Sequence, residues 1–243
     1  MENRPIREND FTNLMSRGEI IAAAVYLPIH AVGLPFGLGW LLALIPGSAA
    51  LTDMEINFIY YGLGMACMLI FLRRYLRRSF DAALDRKGRF LLGILGGYAV
   101  NIGLSFILSA LMLVFGLDLG ASPNNEAIMA GASSDWRRLA VMVVVMAPIV
   151  EEPLFRGLLF GCIRPGSRAA AYAVSVLLFS LYHVWQYVLI SGDPRLLLYC
   201  LAYVPVSAGL CWAYERSGSI WAPMVMHGLV NALSLSVLGS GMM

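Results

Sequence analysis

The run from Leu139 to Ile163 is long and apolar enough to cross a bilayer, yet its middle reads Ala147-Pro-Ile-Val-Glu-Glu-Pro-Leu-Phe-Arg-Gly157. Two adjacent carboxylates and an arginine at that depth constrain the chain more than any other feature. Charge in hydrocarbon is costly, so such groups face a bundle interior or a wet cavity and mark a functional site. Glu152 and Arg156 are four residues apart, share a helix face and can pair. Glu151 is turned about a third of the way round the helix, with no partner on its own segment. One arginine for two glutamates leaves negative charge to be met by a proton, a histidine from another helix or a metal ion.

The rest of the 243 residues supplies the bundle that such a site needs. The chain is 59% hydrophobic and 13% charged, with a mean hydropathy of +0.73, far from soluble-domain composition. Open sheets cannot span lipid, and no series of short alternating segments suggests a barrel. The fold class is therefore all-α, a polytopic transmembrane helical bundle of seven or eight spans. No cleavable signal peptide is evident. Cys67, Cys162, Cys200 and Cys211 form no C-x-x-C pair, lie in apolar runs and read as reduced packing residues.

Residues 1–17 read as a polar tail on the cytoplasmic side. Residues 19–45, interrupted by Pro28, Pro35 and glycines, form one kinked span or a span with a re-entrant piece; His30 within them reads as a packing or interfacial histidine. A loop over 46–57 leads to a span at 58–72. Residues 73–89 carry seven basic side chains against Asp81 and Asp85, which marks a cytoplasmic loop by the positive-inside rule, not a nucleic-acid patch. A span at 90–115 precedes a polar, turn-rich external loop at 116–135. After the 139–163 run, spans follow at 169–190, 196–214 and 220–238. Residues 1–135 thus form an N-terminal tail and membrane helices, and 136–238 a core with the polar motifs, within one membrane domain.

Two of the three histidines fall in that core. Phe179-Ser-Leu-Tyr-His183 lies in one span, and His227-Gly-Leu-Val-Asn231 places Asn231 one turn after His227 in the last. Glu151, His183, His227 and Asn231 therefore come from three helices able to face one interior, as bundle sites are built. Taken singly, Glu152–Arg156 reads as a structural ion pair, Phe179 as packing and Asn231 as interhelical glue. The coincidence of three spaced motifs favours a site. Proline at Pro148 and Pro153 breaks the helix locally and frees the Ile149 carbonyl, consistent with a wet pocket or with a plain packing kink.

Glu151-Glu152-x-x-x-Arg156, Phe179-x-x-x-His183 and His227-x-x-x-Asn231, in this order on successive spans, resemble the CPBP family of intramembrane proteases. That family comprises CAAX-prenyl proteases and bacteriocin-processing enzymes and is also called Abi. The resemblance covers residues 136–238, with Pro153 in place of the commoner aliphatic residue after the glutamate pair. It implies a hydrolase, an intramembrane endopeptidase acting on membrane-associated, prenylated CAAX-like or leader-peptide substrates. It also implies that Glu151 activates water assisted by His183, that His227 and Asn231 stabilise the oxyanion, and that Glu152 and Arg156 support them.

The family's common classification as metalloproteases implies a divalent metal such as zinc on Glu151, His183 and His227, although no H-E-x-x-H helix is present. The implied partners are a peptide or protein substrate at the membrane and the lipid bilayer, with no nucleic acid. The implied place is a bacterial-type cytoplasmic membrane, with several passes. A non-catalytic membrane scaffold or bacteriocin-immunity protein of the same fold stays open, as does a proton-coupled transporter. Against the latter, the polar groups lie in one half of the chain instead of in repeated halves.

Overall fold

The computed structural model describes residues 11–46, 51–118 and 120–240, and every described element is helical. The first ten residues of the expected tail lie outside the described set.

Helix α1, Arg17–Ala43, starts at a reciprocal cap: the Ser16 hydroxyl accepts from Glu19 N at 3.4 Å, and Glu19 Oε2 accepts from Ser16 N at 2.7 Å. Pro28 and Pro35 do not break it in two; a wide turn at Ile29–Gly33 absorbs the missing donors, so Arg17–Ala43 is one candidate span. Helix α2, Asp53–Phe71, opens on the same kind of cap from Thr52 and Glu55.

The basic segment is not a loop. Arg73–Asp85 forms helix α3, which buries Tyr75, Leu76, Ser79 and Ala83; Arg73, Arg74 and Arg77 are exposed, and Arg78 donates to the Leu14 carbonyl and pairs with Glu19. The sequence from 72 to 87 has no proline or glycine, and this spacing puts the buried side chains on one face. Helix α4, Lys87–Val114, then runs along the outside of the bundle, with Phe106 74% exposed and so available to lipid.

The expected external loop is also largely helix. Ser122 accepts from Asn125 N, Pro123 occupies the first turn, and α5 runs over Pro123–Val141. The signals read as a turn are those of a helix start. Asp135 (φ −152, ψ 83) interrupts α5 and re-caps it by accepting from Arg138 N at 3.1 Å.

The central run is broken twice. A wide turn at Met142–Met146 leads into α6, Ala147–Glu152, and a second at Pro153–Phe160 follows it before Gly161–Ile163. Helix α7, Arg168–Tyr182, and α8, Trp185–Ser191, make a pair bent by 44° at His183 and Val184. A short 3₁₀ turn precedes α9, Cys200–Ser217, and α10, Trp221–Ser240, closes the bundle.

Among the described residues four helices are long and apolar enough to cross a membrane, or five if the bent pair is one span. The charged, broken run around α6 is not among them. This is a multi-pass membrane protein, and the seven or eight spans read from hydropathy are not confirmed: of the runs read as spans, 139–163 is broken by the two wide turns, and neither it nor 220–238 is among the four or five. All four cysteines are free; Cys211 is buried, whereas Cys162 is exposed and does not fit the packing role.

The core lies around the central run, where Val150 and Leu154 are fully buried with Phe155, Phe160 and Leu210. Helices α4 and α9 touch through glycines: a Cβ on Gly97 would lie 2.6 Å from the Gly209 carbonyl oxygen. Small residues at such crossings let backbones approach within the membrane.

Candidate active site

Six residues of α6 separate the two wide turns, and both glutamates sit at its end. Such turns change the helical register locally and recur at functional sites. Here they carry Glu151, Glu152 and Arg156 into the most buried part of the molecule, where Glu152 and Arg156 are completely covered and Glu151 is 2% exposed.

Arg156 is held from four sides. Its Nη1 donates to Glu152 Oε1 at 3.1 Å, and its Nη2 donates to Ser207 Oγ at 2.8 Å and to the Ser207 carbonyl at 3.2 Å. The Phe179 ring lies 4.2 Å beneath the guanidinium carbon. Phe179 is thus more than filler: it supports the cation that pairs with Glu152.

The same Glu152 oxygen takes a second donor. His227 Nδ1 lies 2.7 Å from Glu152 Oε1, which fixes that nitrogen as a donor to the carboxylate and turns Nε2 away from it. The backbone brings α10 this close because residue 228 is glycine: a Cβ there would meet the Val144 carbonyl oxygen at 2.7 Å. One turn later, Asn231 Nδ2 donates to the Val143 carbonyl at 2.7 Å, inside the first wide turn. One amide hydrogen of Asn231 is used there; the group carries a second.

His183 sits where α7 ends. Its Nδ1 lies 2.8 Å from the Phe179 carbonyl, one of the oxygens a helix terminus leaves without an amide partner. A carbonyl only accepts, so Nδ1 carries the proton and the neutral ring presents a lone pair at Nε2. Tyr203 stacks on the ring with centroids 4.5 Å apart, and its hydroxyl reaches Ser122 Oγ at 3.1 Å. His183 Nε2 faces Glu151 Oε2 at 3.9 Å. That is too long for a hydrogen bond, and Glu151 Oε2 is buried with no hydrogen-bond partner among the described residues. The other Glu151 oxygen accepts from the Tyr61 hydroxyl at 3.1 Å.

The structure thus gathers all six sequence candidates into one region linked through Glu152, Phe179 and Val143. Ser207, Tyr203 and Tyr61 are polar supports that the motif reading did not name. The zinc ligand set does not fit as a ready site. No three His, Cys, Asp or Glu side chains among the described residues converge to hold a metal ion, and His227 Nδ1 is committed to Glu152. What the geometry does provide is two acceptors, a carboxylate oxygen and an imidazole lone pair, turned toward each other with no donor between. A water molecule, with two O–H groups, suits such a gap.

No curated protein and no solved structure matches the chain. The model of the family described as type II CAAX prenyl endopeptidase Rce1-like matches residues 134–233. The matched segment carries all three polar motifs and the whole Glu151–His183–His227 region, and it is similar to the CPBP and CAAX protease family.

Proposed function

We propose that the protein is an intramembrane endopeptidase that hydrolyses a peptide bond in a membrane-associated, prenylated C-a-a-X-type substrate, with Glu151 as the base. The family whose model matches residues 134–233 supports hydrolysis of this class. The single observation that carries the mechanism is the partnerless Glu151 Oε2 facing His183 Nε2 at 3.9 Å. Among the described residues Glu152 Oε2 and Glu19 Oε1 are also buried without a hydrogen-bond partner, so what singles out Glu151 Oε2 is the imidazole nitrogen it faces. A water held between that oxygen and His183 Nε2 stands where the nucleophile is needed.

In this reading Glu151 and His183 hold the water, and Glu151 removes a proton as the oxygen attacks the scissile carbonyl carbon. The carbonyl oxygen becomes an oxyanion, met by the free N–H of Asn231 and by His227, whose ring is anchored on Glu152 through Nδ1. The tetrahedral centre collapses with cleavage of the C–N bond. Glu151 returns its proton to the leaving nitrogen, which restores the carboxylate. Arg156 acts indirectly, by holding Glu152 in place for His227.

The substrate chemistry is tested with purified protein in lipid vesicles. A fluorogenic peptide ending in a C-a-a-X box is supplied with or without a prenyl group on its cysteine. The proposal expects cleavage of the prenylated peptide and little of the bare one. Equal cleavage of both removes the prenyl specificity, and cleavage of neither removes the proposed substrate class.

A further inference from the structure

Building on the hydrolytic reading, we propose that Tyr61 is a positioning residue for Glu151. Its ring is backed by a buried cluster in which Tyr60 and Tyr182 hydrogen-bond to His30, so that α1 and α2 help to build the site. All these supports except Tyr182 lie outside the 134–233 segment.

The need for such a residue follows from the carboxylate itself. The terminal torsion of a glutamate is broad and roughly two-fold, so helix α6 alone does not set the plane of the carboxyl group. The Tyr61 hydroxyl donates to Oε1 at 3.1 Å, and this bond leaves Oε2 as the oxygen that faces His183. Without that donor, either oxygen can turn toward the water, and the attack geometry is lost for part of the time.

Tyr61 is itself held. Its ring packs edge-on against Tyr60 with centroids 4.9 Å apart and against His30 at 6.1 Å. Both of these residues meet Tyr182, which immediately precedes His183. The Tyr182 hydroxyl lies 3.1 Å from that of Tyr60 and 3.1 Å from His30 Nε2. The Tyr60 hydroxyl donates to the His30 carbonyl at 2.9 Å and lies 2.9 Å from His30 Nε2. His30 is fully buried and stacks on Tyr60 with centroids 4.5 Å apart and planes inclined by 13°. A buried imidazole is costly unless its nitrogens are satisfied, and here Tyr26 faces Nδ1 at 3.4 Å while Tyr60 and Tyr182 face Nε2. Satisfied polar networks of this kind rigidify what they contact. This one joins α1, α2 and the end of α7, so it fixes Glu151 and the segment bearing His183 in one frame.

The test uses the full-length protein in lipid vesicles and the Tyr61→Phe variant, which keeps the ring and removes the donor. One readout is kcat and KM on the prenylated C-a-a-X peptide. The other is the infrared carboxylate band of Glu151, identified as the band lost in Glu151→Gln. The proposal expects kcat to fall about tenfold, part of the hundredfold or more that a placed base contributes. KM should stay as in the parent, with the band displaced and the thermal midpoint modestly lowered because a buried carboxylate oxygen loses its donor. Tyr60→Phe, which loosens the His30 end, should give a smaller loss of the same kind; an unchanged kcat there overturns the part assigned to His30. For Tyr61, an unmoved band overturns the proposal, whether kcat is unchanged or falls together with the thermal midpoint. If the parent protein cleaves nothing, the hydrolytic reading fails, and the band shift alone still decides whether Tyr61 orients Glu151.

Discussion

His227 Nδ1 and Arg156 Nη1 share a single oxygen, Glu152 Oε1, at 2.7 and 3.1 Å. The second glutamate is therefore a hub between a structural cation and a histidine of the last helix. Its neighbour Glu151 is left free to act. This division of labour between adjacent carboxylates produces different expectations for each residue around them.

Arg156→Ala should act on stability first. It removes the arginine from Glu152 and leaves only His227 Nδ1 on that carboxylate, and breaking a buried pair from one side costs about 3–5 kcal/mol. Membrane abundance and thermal midpoint of the purified variant should both drop. Ser207→Ala removes one of three donor–acceptor contacts to Arg156 and should cost about 1 kcal/mol. An Arg156→Ala protein of normal midpoint and activity would show that the pairing carries no weight.

Asn231→Ala should lower turnover on the order of a hundredfold, as for removal of one oxyanion donor. The loss should exceed what the missing Val143 contact does to stability. Steady-state kinetics beside a melting curve separate the two. A variant with normal kcat and a lowered midpoint would assign Asn231 to interhelical anchoring alone.

Residues 73–89 should face the cytoplasm and the helix start at 122–126 the opposite side, since the seven basic residues of 73–89 outweigh Arg137 and Arg138 at the end of the 116–138 segment. Arg74 and Asn125 are both exposed, so single cysteines placed there in a cysteine-free background report sidedness to an impermeant reagent. Labelling with the reverse pattern would invert the orientation.

The poor convergence of Glu151, His183 and His227 as three ligands gives an expectation for metal. Protein purified with a strong chelator should keep its activity. Stoichiometric zinc, lost with activity on chelation and restored by added metal, would show that these side chains rearrange into a zinc site.

The site was legible in the sequence because ionisable groups at membrane depth are too costly to be incidental. Glu151, Glu152, Arg156 and His183 stood out against apolar surroundings for that reason alone. Their supports were not legible. Tyr61, Tyr203 and Ser207 are ordinary residues in membrane helices, and only their placement against Glu151, His183 and Arg156 shows what they do. His30 read as a packing histidine because nothing along the chain announces that Tyr60 and Tyr182 converge on it. The break at His183 has no proline or glycine to signal it. Conversely, Ser122-Pro123 does signal a helix start, but in a polar, glycine-containing stretch the same residues read as a turn.

The most direct measurement is the turnover of a prenylated C-a-a-X peptide by the parent protein and by Glu151→Gln, at equal membrane abundance. The substitution keeps size and shape and removes the proton acceptor. Cleavage by the parent and a loss of at least about a hundredfold in the variant is the predicted result. Undiminished cleavage by Glu151→Gln would contradict the assignment of Glu151 as the base.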